Sequence, residues 1–168
     1  MNRAKIFNLS AFSTADIRKT ASEADAEYTV LYTRPNGFRF VDFGLERMLQ
    51  VADSTGAALV YSDHFNGETP YPVAPYQKGS VRDDFDFGGL LLIRSSAMRE
   101  AVAGMDREYR FAGLYDLRLR LSRIGSIVHV GEFLYYELDT DGRASGEKLF
   151  DYVNPRNRDV QIEMEAAC

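Results

Sequence analysis

Ala57-Ala58-Leu59-Val60-Tyr61 is apolar at every position, the pattern of a strand covered on both faces. Such a strand needs helices above and below it, so this short run sets the fold class as α/β. Just before it, Leu45, Met48, Leu49 and Ala52 share one face of a helix that Gly56 closes. Further back, Tyr28–Tyr32 (Tyr-Thr-Val-Leu-Tyr) is another strand, stopped by the turn chemistry of Arg34-Pro35-Asn36-Gly37. Ser13 or Thr14 caps a helix to about Ala24, with Asp16 near its start and Ile17, Ala21 and Ala24 inward. Lys5–Leu9 is a weak first strand. Met1–Tyr61 therefore reads β-α-β-α-β, which predicts a mainly parallel sheet flanked by helices. Its main parallel strands are expected near residues 28–32, 57–61 and 88–93.

Beyond Tyr61 the rhythm breaks. Ser62–Phe87 holds Pro70, Pro72 and Pro75, two glycines, and the acidic run Asp83-Asp84-Phe85-Asp86. An irregular stretch of about 25 residues inside a compact domain is a binding loop or a disordered one. Phe65, Tyr71, Tyr76 and Phe85 argue against disorder. Gly88–Ile93 resumes as a strand, and Ser95 or Ser96 caps a short helix with Met98, Val102 and Met105 inward. In the next helix Leu114, Leu117, Leu121 and Ile124 draw one apolar stripe. Gly125 follows at once, where a left-handed residue would end that helix. Ser126–Val130 is a β-branched strand and Phe133–Leu138 a further extended piece rich in aromatics. Asp139–Gly146 is a polar loop, and Val160–Ala167 a helix that stops without a cap. The chain is thus expected to be a single domain, residues 1–168, belonging to a longer protein.

Composition excludes several function classes. At 45% hydrophobic and 27% charged, the chain is an ordinary globular one. Net charge is −5 and the arginines are spread along the chain, which argues against nucleic acid. Cys168 is the only cysteine, so there is no disulfide framework and no cysteine metal site. No apolar run approaches the length of a membrane span. Met1–Phe12 has no continuous apolar stretch of the signal-peptide kind, and a cytoplasmic location is the expectation.

The residues that carry chemistry are few. Asp116 lies in the first turn of its helix, about 100° round from Leu117 and off the apolar stripe. A carboxylate there can face an opening. It equally suits the helix macrodipole, with Arg120 one turn on as an ion-pair partner. Asp63-His64 directly follows a buried strand, and parallel sheets collect ligands at the carboxyl ends of their strands. A polar strand end is the plainer reading of that pair. His129 alternates with apolar neighbours, as a core histidine does. Asp83, Asp84 and Asp86 can bind a cation or simply form a solvated acidic loop. One cleft shared by Asp63, His64, Asp116 and the loop after Ser62 is the arrangement expected of a working site.

The order of these pieces resembles the family 2 glycosyltransferases. The resemblance runs from Tyr28 to Tyr136 and is carried by Gly56-Ala-Ala-Leu-Val-Tyr-Ser-Asp63, the apolar Gly-Gly-Leu-Leu-Leu-Ile-Arg94, Gly113-Leu-Tyr-Asp-Leu-Arg-Leu-Arg120, and Gly125-Ser-Ile-Val-His-Val with Leu134-Tyr135. It implies the GT-A fold, a nucleotide-sugar-binding α/β sandwich. It further implies transfer of a sugar from a nucleotide-sugar donor to a saccharide or similar hydroxyl. Asp116 stands where the family has its general base, with Tyr115 before it where many relatives have an acid. Arg34, Asp63 and His64 fall at the donor site.

The chain departs from the family in its donor half. The family has an Asp-x-Asp after the strand that corresponds to Tyr28–Tyr32, and it grips a divalent cation there. Here those positions are Thr33, Arg34 and Pro35, and the family's first strand is missing. Mn²⁺ or Mg²⁺ is therefore expected to bind weakly, with Asp63, Asp83, Asp84, Asp86 and His129 as the candidate ligands. Arg34, with its fixed charge and bidentate fork, is the expected substitute at a diphosphate. Two functions remain open: an active glycosyltransferase with Asp116 as base, or a catalytically silent module of the same fold that binds a saccharide, a nucleotide or a protein partner.

Overall fold

A computed structural model describes residues 3–77, 85–138, 163–164 and 166–167. In chain order the elements are β1 (Ala4–Asn8), α1 (Thr14–Glu23), β2 (Tyr28–Tyr32), β3 (Phe38–Phe40), α2 (Gly44–Thr55), β4 (Leu59–Asn66) and β5 (Thr69–Tyr71). They continue with β6 (Leu90–Arg94), α3 (Ser95–Ala103), α4 (Gly113–Ile124) and β7 (Ile127–Glu137). One sheet holds all seven strands in the order β1-β2-β6-β4-β7-β3, with β5 added to β4.

The sheet is mixed, not mainly parallel. β1 and β2 pair in parallel, as do β4 and β7. β6 runs antiparallel to both its neighbours, β2 and β4, and β3 and β5 are antiparallel to their partners. The strand expected near 88–93 therefore exists but points the other way. Its residues do not reveal direction, because a strand buried on both faces is a continuous apolar run in either orientation.

Helices cover both faces. Ile17 and Ala21 of α1, Met98 and Ala101 of α3, and Leu114, Leu117 and Leu121 of α4 pack on Leu31, Leu59, Tyr61, Leu91 and Ile93. Met48, Leu49 and Ala52 of α2 pack on the other face, against Val30, Val60, Leu90 and Leu92. The alternation along β6, with Leu91 and Ile93 on one side and Leu90 and Leu92 on the other, is the two-residue period of a strand. Leu59, Val60 and Tyr61 are fully buried.

Local chemistry explains the ends of the elements. Ser13 caps α1: its Oγ accepts from the Asp16 amide at 3.1 Å, and the Ser13 amide donates to Asp16 Oδ2 at 3.3 Å, a reciprocal capping box. Gly56 closes α2 in the left-handed conformation, at φ 68°. α3 starts differently from the expectation, since Arg94 occupies the cap position without a side-chain bond. The Ser95 hydroxyl instead shares a buried 2.8 Å hydrogen bond with Thr29 on β2. Gly125 is extended, φ −160°, not left-handed. What calls for glycine there is proximity, because a Cβ would sit 3.0 Å from Ala58 Cβ.

Two further readings change. Ser62–Asn66 continues β4, and a hairpin through Gly67 leads into β5, so regular structure extends into the stretch expected to be irregular. Ser126–Val130 and Phe133–Leu138 merge into the single strand β7, whose pairing with β4 slips between Ser62 and His64. Of the expected C-terminal helix, residues 163–164 and 166–167 are helical, and Glu163 accepts backbone hydrogen bonds from Arg110 and Phe111. The Asp139–Gly146 loop lies outside the described residues. Among the described residues no helix is long and apolar enough to cross a membrane.

A sheet covered on both faces makes a specific demand on β6. Leu91→Ala and Leu92→Ala, on opposite faces and both buried, should each cost about 2–5 kcal/mol in urea unfolding. A near-neutral result for either would mean that one face of the sheet is open.

Candidate functional site

The carboxyl ends of β1 and β2 lie side by side, and the chain leaving each lines a cavity of ≈570 Å³. Asn8, Leu9, Ser10 and Phe12 come from the β1 side; Thr33, Arg34, Pro35, Asn36 and Gly37 come from the β2 side. A second cavity, ≈350 Å³, shares Thr33 and Arg34 and adds Asp86, Phe87, Gly88 and Arg118. Arg34 therefore stands between two adjoining spaces.

The antiparallel entry of β6 builds the second cavity. Because β6 begins at the edge where β2 ends, residues 85–89 are delivered against Thr33 and Arg34. The Thr33 amide and hydroxyl both donate to the Gly89 carbonyl, at 2.7 and 3.0 Å. Gly88 has φ +76°, and a Cβ there would fall 2.3 Å from the Tyr135 hydroxyl. Only glycine passes through that gap. On the other side, Tyr32 donates to Asn36 Oδ1 at 3.0 Å and holds the 34–37 turn.

Arg34 and His64 share an acidic partner that the sequence did not signal. Arg34 Nη2 is 3.3 Å from Asp86 Oδ1, and its Nε is 3.6 Å from Glu137 Oε1. The same Glu137 oxygen accepts from the Gly89 amide at 2.7 Å. Its other oxygen is 3.5 Å from His64 Nε2. His64 is buried between aromatic rings, stacked on Tyr135 at 5.1 Å and tilted against Tyr71 at 5.1 Å. Its Nδ1 is buried with no hydrogen-bond partner. Burial lowers the His64 pKa below its usual value, with Glu137 opposing. Burial raises the Tyr135 hydroxyl well above the ordinary tyrosine range.

Asp63 points to the opposite face from His64, as neighbours on a strand do. Its Oδ1 accepts from His129 Nε2 at 2.7 Å and from the Val73 amide at 3.0 Å. This bond ties the loop after β5 to the sheet, beside the Tyr61 ring, which lies 5.1 Å from His129. Asp116 is buried on α4. Its Oδ1 accepts from Arg120 Nε at 3.0 Å, while its Oδ2 is buried without a partner. Arg120 also reaches Asp106 at 3.6 Å. Arg118, about 200° away on the same helix, leaves the opposite flank and lies over Phe87 at 4.9 Å. None of Asp63, His64 and Asp116 lines either of the two cavities, and His64 leaves β4 on the face opposite Asp63.

Among the described residues, no three His, Cys, Asp or Glu side chains converge as a metal site requires. Asp63 and His129 bond each other and Asp86 meets Arg34; Asp83 and Asp84 lie outside the described residues. Glu137 and Arg118 are the site residues that sequence reading missed. Glu137 is simply the last residue of a strand, and Arg118 one arginine in a Leu-Arg-Leu-Arg-Leu run. Only a helical wheel placing Arg118 at the edge of the apolar stripe distinguishes it. Compared with known proteins, the chain matches no protein-family model and no curated protein.

His64 gives a pH test. The fold favours its neutral form, so the unfolded chain takes up the proton first as pH falls. Stability should therefore be undiminished above about pH 6.5, the ordinary histidine value, and decline below it. Unfolding measured from pH 7.5 to 5 should show a smaller loss in His64→Gln than in wild type; equal losses would place the titration elsewhere.

Proposed function

We propose that this chain is a GT-A-like module that binds a nucleotide-diphospho-sugar in the cleft beyond β1 and β2, with Arg34 against the diphosphate. The observation that carries the reading is the position of Arg34 between two adjoining cavities at the carboxyl edge of the sheet. Open α/β sheets bind ligands at that edge. The larger cavity has the size of a small-molecule site. Its apolar wall of Leu9, Phe12 and Pro35 suits a base, and Asn8, Ser10 and Asn36 supply polar groups for a sugar. Arg34 also sits where the resemblance puts the family's metal-gripping pair, so a fixed cation takes over the role of a bound one.

A catalytic form of the same reading has its own support. Asp116 Oδ2 is a buried carboxylate oxygen with no partner, which a hydroxyl proton would satisfy. Asp116 would then act as general base for attack of an acceptor hydroxyl on the sugar. Because Asp116 is buried and Arg120 holds its other oxygen, that chemistry requires a rearrangement that uncovers it.

Titration calorimetry with UDP and UDP-sugars tests the binding. Binding should persist in EDTA and weaken about 10- to 100-fold in Arg34→Ala, the span expected for a charge-assisted hydrogen bond. Binding that needs Mn²⁺ and ignores the substitution would move the diphosphate to other residues; no nucleotide binding would overturn the reading. If sugar transfer is detected, Asp116→Asn should reduce its rate about 100-fold or more with UDP affinity unchanged.

A further inference from the structure

We propose that Arg118 and Arg34 form a two-arginine clamp for a diphosphate across the smaller cavity, so that the ligand is held without a metal ion. The clamp rests on the cleft reading above and adds its chemistry.

Arg118 reaches the cavity from α4, while Arg34 reaches it from the end of β2. Two guanidinium groups from separate layers of the fold thus meet at one space of ≈350 Å³. Phe87 lies under Arg118 at 4.9 Å and is itself fully buried, so the guanidinium rests on a fixed ring. Arg118 Nε is buried and has no hydrogen-bond partner. A buried donor left open is uncommon in a finished structure and calls for an acceptor.

The electrostatics agree. Burial and then the Arg34 charge pull the Arg118 pKa down to about 10, and Asp86 only partly opposes them. Arg118 therefore feels more repulsion from Arg34 than attraction from Asp86. Asp86 and Glu137 both engage Arg34, through Nη2 and Nε. Two cations kept this close are stabilised by an anion between them.

The geometry selects phosphate over carboxylate. One carboxylate has two coplanar oxygens and satisfies a single guanidinium fork. Forks approaching from a helix on one side and a strand end on the other need oxygens that point apart, as those of a tetrahedral phosphate do. Because Arg34 also lines the larger cavity, one phosphate can lie between the arginines and a second can lead toward that space. A diphosphate bridges the two.

Calorimetry with inorganic pyrophosphate in EDTA is the direct test, run on wild type, Arg118→Met, Arg118→Lys and Arg34→Ala. Pyrophosphate should bind wild type, bind Arg118→Met and Arg34→Ala at least 10-fold more weakly, and bind Arg118→Lys at an intermediate level. In wild type, the Arg118 Nε–H resonance should shift on adding pyrophosphate, a readout that does not depend on any variant folding. Absence of pyrophosphate binding, a requirement for Mg²⁺, or equal affinity in Arg118→Met overturns the clamp. If UDP still binds in the last case, the cleft reading survives alone. Arg118-dependent pyrophosphate binding supports the clamp; if UDP then binds no more tightly than pyrophosphate, it is the nucleotide reading that fails.

Discussion

The wedging of β6 between β2 and β4 is the constraint on which both core and cleft depend. Leu90–Ile93 is buried on both faces and joins the two apolar clusters through alternate side chains. Its antiparallel direction is equally consequential. A parallel strand at this position would end where β2 ends and would carry its incoming loop to the far edge. As built, Asp86–Leu90 arrives at the carboxyl edge and meets Arg34, Tyr135 and Glu137. Hydrophobic burial thus fixes where the polar site stands.

A second consequence is that the site's charges are held by backbone geometry. The Gly88 amide donates to Asp86 Oδ1 at 2.8 Å and the Gly89 amide to Glu137 Oε1 at 2.7 Å. Each carboxylate that faces Arg34 is thereby pinned by an amide of the same Gly-Gly pair. Orienting charges before a ligand arrives avoids ordering them on binding, a general route to affinity. Asp63 and His129 meet at 2.7 Å on the opposite face of β4 from His64, and there Asp63 also accepts from the Val73 amide at 3.0 Å, which holds the loop after β5 in place.

Much of the fold is legible in the sequence because propensity, pattern and turn chemistry agree. Tyr28–Tyr32 is read with its boundaries because Pro35 and Gly37 stop it. Ser13 with Asp16 announces α1, and Gly56 ends α2. What the sequence hides is pairing direction and short edge strands. β5 contains Pro70, which looks like loop chemistry but is tolerated on an edge strand. β3 is three residues long and follows a turn, too short for periodicity to register. At the site, the off-stripe position of Asp116 is visible from spacing, and so is its partner Arg120. Its burial is not, because that depends on neighbouring elements. Arg34 is legible as a cation in a turn; that Glu137, from the far end of the chain, lies beside it is a product of the sheet order β2-β6-β4-β7.

The central claim is that ligand binding is confined to the carboxyl edge of β1 and β2. Amide chemical shifts of the isotope-labelled protein, followed during titration with a UDP-sugar in EDTA, test it residue by residue. The account predicts saturable shifts at Asn8–Ser10, Thr33–Gly37 and Gly88–Gly89, with Asp63, His129 and Asp116 unmoved. Shifts centred on Asp63 and Asp116 instead, or an unchanged spectrum at saturating ligand, would contradict it.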